Sequence, residues 1–96
     1  MNNKFDTLPT FMNESSYLEN VLKLNKGKKV DIYASFPNSN DWKNKTFEGI
    51  IEESGKDYVI LSNPATGSWH LLSFDYIDFI KSDEKINATE IYYPNA

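Results

Sequence analysis

His70 is the only histidine of the chain and follows Trp69 in the stretch DYVILSNPATGSWHLL, residues 57–72. Imidazole is the side chain best suited to general-base work or metal ligation near neutral pH. Either role needs partners. The chain has no cysteine and no second histidine at ligand spacing, so a zinc-type donor set does not assemble. No G-x-S-x-G, phosphate-binding loop or G-x-G-x-x-G occurs, which removes the common nucleophile and nucleotide signatures. His70 therefore reads as a surface or rim histidine of a hairpin.

The carboxylates offer a second chemistry. Asp75 and Asp78 are three apart, and Glu52 adjoins Glu53. Glycoside hydrolysis sets two acids across a cleft. A domain this small has little cleft, so these acids read as solvated faces. No enzymatic activity, metal or cofactor is expected.

Binding is the better-supported chemistry. Six tyrosines, six phenylalanines and two tryptophans are more than one small core can hide, and exposed aromatics are the usual anchors of protein interfaces. Trp42, Trp69 and Tyr33 lead that group, with Tyr58, Tyr92 and Tyr93 behind them. Lys23, Lys26, Lys28 and Lys29 form a basic cluster that can steer an acidic partner. The plainer reading of that cluster is a solvated helix end whose charges suit the dipole.

Those residues sit on a chain of 96 residues, one domain by length. A chain this short buries only about 60–65% of its unfolded surface, so its stability margin is thin. No segment approaches the roughly 20 apolar residues of a spanning helix, and MNNKFDTLPTF lacks the basic and apolar regions of a secretory signal. The net charge of −4 is uneven: residues 1–48 hold seven lysines against six acids, and residues 49–96 hold three against eight. All ten basic residues are lysine, so bidentate arginine recognition of phosphate or guanine is ruled out. With the acidity, this argues against a dedicated nucleic-acid binder.

Residues 1–14 show no periodicity and read as a flexible leader. Ser16 and Glu19 have capping-box spacing, and an apolar stripe through Tyr17, Leu18, Val21 and Leu22 predicts a helix over 16–26, stopped at Gly27. The period then changes to two. Val30, Ile32, Ala34 and Phe36 alternate with polar neighbours. A second strand over 43–53 carries Phe47 and Ile51 on one face, with Gly49 where the sheet bends. After a turn at Ser54-Gly55-Lys56, Tyr58–Leu61 reads as a central strand. Trp69–Phe74 and a short segment ending at Ile80 complete five. The expected core is Leu18, Val21, Leu22, Val30, Ile32, Phe47, Ile51, Ile60, Leu71, Ile77 and Ile80. The outline is mainly β: a small five-stranded SH3-like or Sm-like barrel capped by an N-terminal helix, occupying residues 15–94 with a C-terminal tail.

SYLENVLKLNKGK, the F-x-G-x-I-E segment Phe47–Glu52, GKDYVILSNPATG, FDYIDFI and a closing YYP occur in that order over residues 16–94. In types and spacing these segments resemble the spore coat protein GerQ family. The resemblance implies a non-enzymatic protein made in the mother-cell cytoplasm during sporulation and placed at the cortex–coat interface of the spore. There it holds the cortex-lytic hydrolase CwlJ, so that cortex peptidoglycan is degraded on germination, with other coat proteins and a second copy of the chain as further partners. Some members are cross-linked by a transglutaminase through leader lysines. That points to Lys4 as amine donor here, although the absence of glutamine excludes self-cross-linking. The rival reading is an Sm-like oligomeric nucleic-acid binder, which the barrel outline fits and the acidity opposes.

Overall fold

A computed structural model describes residues 14–41 and 43–88. Lys4, Trp42, Tyr92, Tyr93 and residues 1–13 of the expected leader 1–14 lie outside the described residues, and Glu14 belongs to the helix instead. The elements run α1 (Glu14–Leu24), β1 (Lys29–Ser35), β2 (Asn44–Ser54), β3 (Tyr58–Asn63), β4 (Ser68–Ser73), a 3₁₀ turn (Phe74–Tyr76) and β5 (Ile77–Lys81).

The helix begins two residues before the expected start, so Ser16 and Glu19 lie inside it and do not form a capping box at its end. Glu19 instead pairs with Lys23 one turn on, at 2.7 Å. The helix gives way after Leu24 to a turn over residues 25–27. Gly27 there has φ +93°, the left-handed conformation that glycine adopts without a Cβ penalty. Its N–H leaves the helix and donates to Ile51 O at 2.8 Å, which joins the helix end to β2.

All strand pairs are antiparallel, in the order β4-β3-β2-β1-β5. The expected SH3-like or Sm-like barrel is shown only as far as a five-stranded antiparallel sheet: among the described residues β4 and β5 stand at opposite edges with no ladder between them, so the sheet is not closed. Local alternation and turn spacing predict the strands and their neighbours, whereas closure depends on how far the whole sheet coils. Two register shifts interrupt the ladders, one between Ile51 and Glu53 on β2 and one between Tyr33 and Ala34 on β1. Such bulges re-aim the residue they leave over. Here these are Glu52, which accepts from the Ser62 hydroxyl at 2.5 Å, and Asp78, which accepts from the Ser35 hydroxyl.

One face of the sheet carries the core. Val30, Ile32 and Ala34 of β1 are buried, as the alternation requires, together with Ile51, Val59, Leu61, Leu72 and Leu22 of the helix that lies against β2 and β3. Leu18, Phe47, Ile77 and Ile80 pack against this cluster half-buried. Leu71 is a correction: it was expected in the core and is 66% exposed. Ile60, its cross-strand partner, is only half-buried on the same outer face. β3 is apolar at consecutive positions, so a period of two does not say which set points inward; the register places Val59 and Leu61 there.

Gly49 is required by a close approach. A Cβ at this position would stand 2.7 Å from the Ser62 carbonyl oxygen and 3.1 Å from Leu61 Cβ. The first obstacle is backbone and cannot swing away. Gly49→Ala is expected to cost about 1–3 kcal/mol through overpacking, read as a lower urea midpoint at unchanged slope.

Candidate functional site

The outer face of the sheet, opposite the core, holds the exposed aromatics Trp69 and Phe79, while Tyr76 is exposed in the 3₁₀ turn beside Phe36. Trp69 and Leu71 stand two residues apart on edge strand β4, 65% and 66% exposed. Across from them on β3 are Ser62 and Ile60. β4 thus offers a continuous apolar strip on an edge whose backbone is half unpaired. None of its six residues is charged, and lysine or proline on an edge is the common device against edge pairing.

Tyr33 lies on the same face but not in the same place. The row through Trp69 continues by Ser62 and Ile50 to Lys29, and Tyr33 is four residues further along β1. Three strand spacings and four residues put the two aromatics about 20 Å apart. Tyr33 instead stacks on Phe79 of β5, with ring centroids 4.3 Å apart and planes 13° from parallel. Phe79 itself is 56% exposed. The outer face therefore has two apolar patches, one at each edge, with Asp31, Glu48 and Glu52 between them.

The basic cluster is divided among separate contacts. Lys23 pairs with Glu19 and Lys29 with Glu48 at 3.0 Å. That hydrogen bond and the carboxylate's charge hold the Lys29 ammonium pKa above its ordinary value. Lys28 donates to Asn25 Oδ1 at 2.8 Å and to the Lys85 carbonyl at 2.7 Å, which makes it a structural tie. Lys26 is exposed.

The carboxylates are likewise engaged by hydroxyls. Besides Glu52 with Ser62 and Asp78 with Ser35, Glu53 accepts from the Tyr58 hydroxyl at 2.9 Å. This bond and the Glu53 charge favour the neutral phenol and raise the Tyr58 pKa. Among the described residues, no three His, Asp or Glu side chains converge to hold a metal ion, and no helix is long and apolar enough to cross a membrane.

His70 lies half-buried on the core side of β4 with Leu72, a correction that follows from that of Leu71, whose expected place in the core would have turned His70 outward. Its ring meets Phe47 edge-on at a centroid distance of 5.1 Å. Sequence reasoning did not single out three residues that matter here. Leu71 was assigned to the core, and Phe79 was read only as part of a strand. Asn25 is 3% exposed at the helix end, and its side chain holds the segment around Asn87. The signal for Asn25 was available: it stands four residues after Val21 and three after Leu22, so a polar residue continues the apolar stripe.

The family described as Spore coat protein (Spore_GerQ) matches over residues 13–88, a span that contains every described residue. The chain is also 47% identical over 79 residues to Spore coat protein GerQ of Bacillus subtilis (strain 168). That alignment covers 82% of this chain and 44% of the relative, so the chain spans less than half the relative's length. With the match running across α1 and all five strands, the chain belongs to the spore coat protein GerQ family.

Proposed function

We propose that this chain is a non-enzymatic scaffold at the cortex–coat interface of the spore. It holds the cortex-lytic hydrolase CwlJ in place for peptidoglycan breakdown on germination. The observation that carries the reading is the family match over the whole described fold. The protein is made in the mother cell and meets other coat proteins, with Lys4 as the amine a transglutaminase would use. Two features of the molecule support a binding role over a catalytic one. Three of the acids that could pair across a cleft, Asp78, Glu52 and Glu53, accept hydrogen bonds from Ser35, Ser62 and Tyr58. The outer face, by contrast, keeps Trp69 and Leu71 in solvent, an apolar strip of the kind that interfaces bury.

The strip on β4 is the proposed hydrolase contact, since Trp69 is its largest exposed side chain. Truncating a tryptophan at an interface centre often costs about 2 kcal/mol, or roughly thirtyfold in affinity. Trp69→Ala is therefore expected to bind purified CwlJ about thirtyfold more weakly, and spores carrying it in place of their own family member should lose the hydrolase from the coat fraction. Tyr33→Ala, about 20 Å away, serves as the matched control. If folded Trp69→Ala retains CwlJ normally while Tyr33→Ala does not, the contact belongs to the β1–β5 edge. If both retain it, the scaffold does not use this face.

A further inference from the structure

We infer that two copies of this chain join through their β4 edges, strand against strand and antiparallel, with the two-fold axis at His70. Two five-stranded sheets then become one. The pairing uses backbone groups of the edge and does not depend on the hydrolase reading, which concerns side chains of the outer face. The Phe74 N–H donates to the Asp57 carbonyl at 2.9 Å, and the register of β3 on β4 sets those two residues opposite each other. In an antiparallel ladder such bonded pairs alternate with unbonded ones. Leu72 and His70 therefore turn their N–H and carbonyl groups toward β3, and Leu71 and Trp69 turn theirs to the open edge. Among the described residues, β3 is the one strand that pairs with β4.

Charge points to a second copy as the occupant. Each copy carries a net charge of −4, so a contact of like with like has to lie where no carboxylates meet. No Asp, Glu or Lys occurs from Tyr58 to Phe74, the whole β3–β4 hairpin, in a chain that is 25% charged. Charges, prolines and bulges keep an edge strand single, and the β3–β4 ladder runs without a register shift. The opposite edge is guarded: β5 carries Asp78 and Lys81, and its ladder with β1 shifts between Tyr33 and Ala34. An isologous contact at β4 thus closes at two copies.

The edge also fits its own copy. With the axis at His70, Trp69 of each copy stands opposite Leu71 of the other, and each such pair exchanges both backbone bonds. Directly opposed residues share a face, so Trp69 and Leu71, 65% and 66% exposed in the single chain, pack against each other on the outer side. On the core side His70 meets its counterpart as an unbonded pair. A register centred on Leu71 would need the outward groups of Ser73. That residue is committed to the 3₁₀ turn as its cap, its hydroxyl accepting from the Asp75 N–H at 3.2 Å. Asp75, the next charge along the chain, lies past the paired segment, toward the uncharged turn of residues 64–67 in the second copy. The joint is one strand wide and smaller than the interface of a permanent dimer, so a Kd on the order of 100 µM is expected.

The chain has no cysteine, so a single introduced thiol can bridge only to another copy. Directly opposed unbonded residues have Cα atoms about 4.5 Å apart, inside the range a disulfide spans. In a glutathione buffer His70→Cys should form a disulfide dimer. Leu71→Cys, whose counterpart is diagonal and more than about 7 Å away, should form about tenfold less. Sedimentation equilibrium of the unaltered chain should show monomer and dimer, and the Trp69 and Leu71 amides should gain protection from hydrogen exchange as concentration rises. Leu71→Pro removes an N–H that the β3 ladder does not use, a change an edge strand tolerates. It should stay monomeric, with slow exchange at the Val59 and Leu61 amides reporting an intact ladder. An unaltered chain that is monomeric at about 1 mM, tenfold above the expected Kd, overturns the pairing, as does association of Leu71→Pro equal to the parent's. Bridging at Leu71→Cys equal to or above that at His70→Cys overturns the axis. Hydrolase binding enters none of these outcomes, so the pairing and the hydrolase contact stand or fall separately.

Discussion

Ile32→Ala is expected to cost about 2–5 kcal/mol of folding stability, while Ile60→Ala costs less than about half of that. Both remove the same atoms from one sheet, on β1 and on β3. Ile32 is fully buried at the middle of β1, paired with Phe47 on one side and Ile80 on the other. Truncation there loses the transfer free energy of the side chain and leaves a cavity between three strands. Ile60 faces outward opposite Leu71, itself 66% exposed, so water can fill the space the truncation leaves. Against the 5–15 kcal/mol typical of whole domains, the first loss threatens folding and the second does not. Urea melts of both variants check this, and equal losses would mean that the two faces of the sheet are wrongly assigned.

That contrast also marks where the sequence is legible. In β1 polar and apolar residues alternate strictly, so one register alone buries Val30, Ile32 and Ala34, and those residues are buried. In β3 and β4 the runs Val59-Ile60-Leu61 and Leu71-Leu72 are apolar on both faces. Alternation then gives no preference, and the faces are decided by pairing with β2, where Ile51 opposes Leu61. Gly27 was legible because a helix stop needs a missing Cβ, whereas Gly49 was expected for a bend and is required instead by the close approach of the Ser62 carbonyl. Sheet closure was not legible, since it is a sum over all five strands.

The candidate sites divide in the same way. A surplus of aromatics can be counted from composition, and Trp69 is indeed exposed. Which aromatics sit together cannot be counted. Tyr33 acquires Phe79 only because β5 returns beside β1, some 46 residues later in the chain. The four lysines look like one cluster along the sequence, yet three of them have their own partners on different elements.

Asn25→Ala is expected to destabilise the protein by about 2–4 kcal/mol and to release the segment around Asn87 first. The Asn25 amide acts as a short piece of backbone. Its Nδ2 donates to the carbonyls of Val21 at 2.7 Å and Asn87 at 2.8 Å. Its Oδ1 accepts from the Asn87 N–H at 3.0 Å and from Lys28 Nζ. The side chain is 3% exposed, so alanine leaves a polar-walled void, and buried groups that lose a partner cost more than the bond itself contributes. Asn25→Asp separates shape from hydrogen bonding. It keeps the volume and the acceptor for Asn87 N–H and Lys28, but it cannot donate to the two carbonyls and brings a carboxylate against them. If the donor side of the amide holds the segment, both variants lower the melting temperature, and both speed hydrogen exchange at the Asn87 amide. If shape alone holds it, Asn25→Asp stays near the parent in both measurements. Unchanged exchange at Asn87 in Asn25→Ala would show that the apolar contact of Ile86 with the groove beside α1, and not Asn25, fastens the end of the fold.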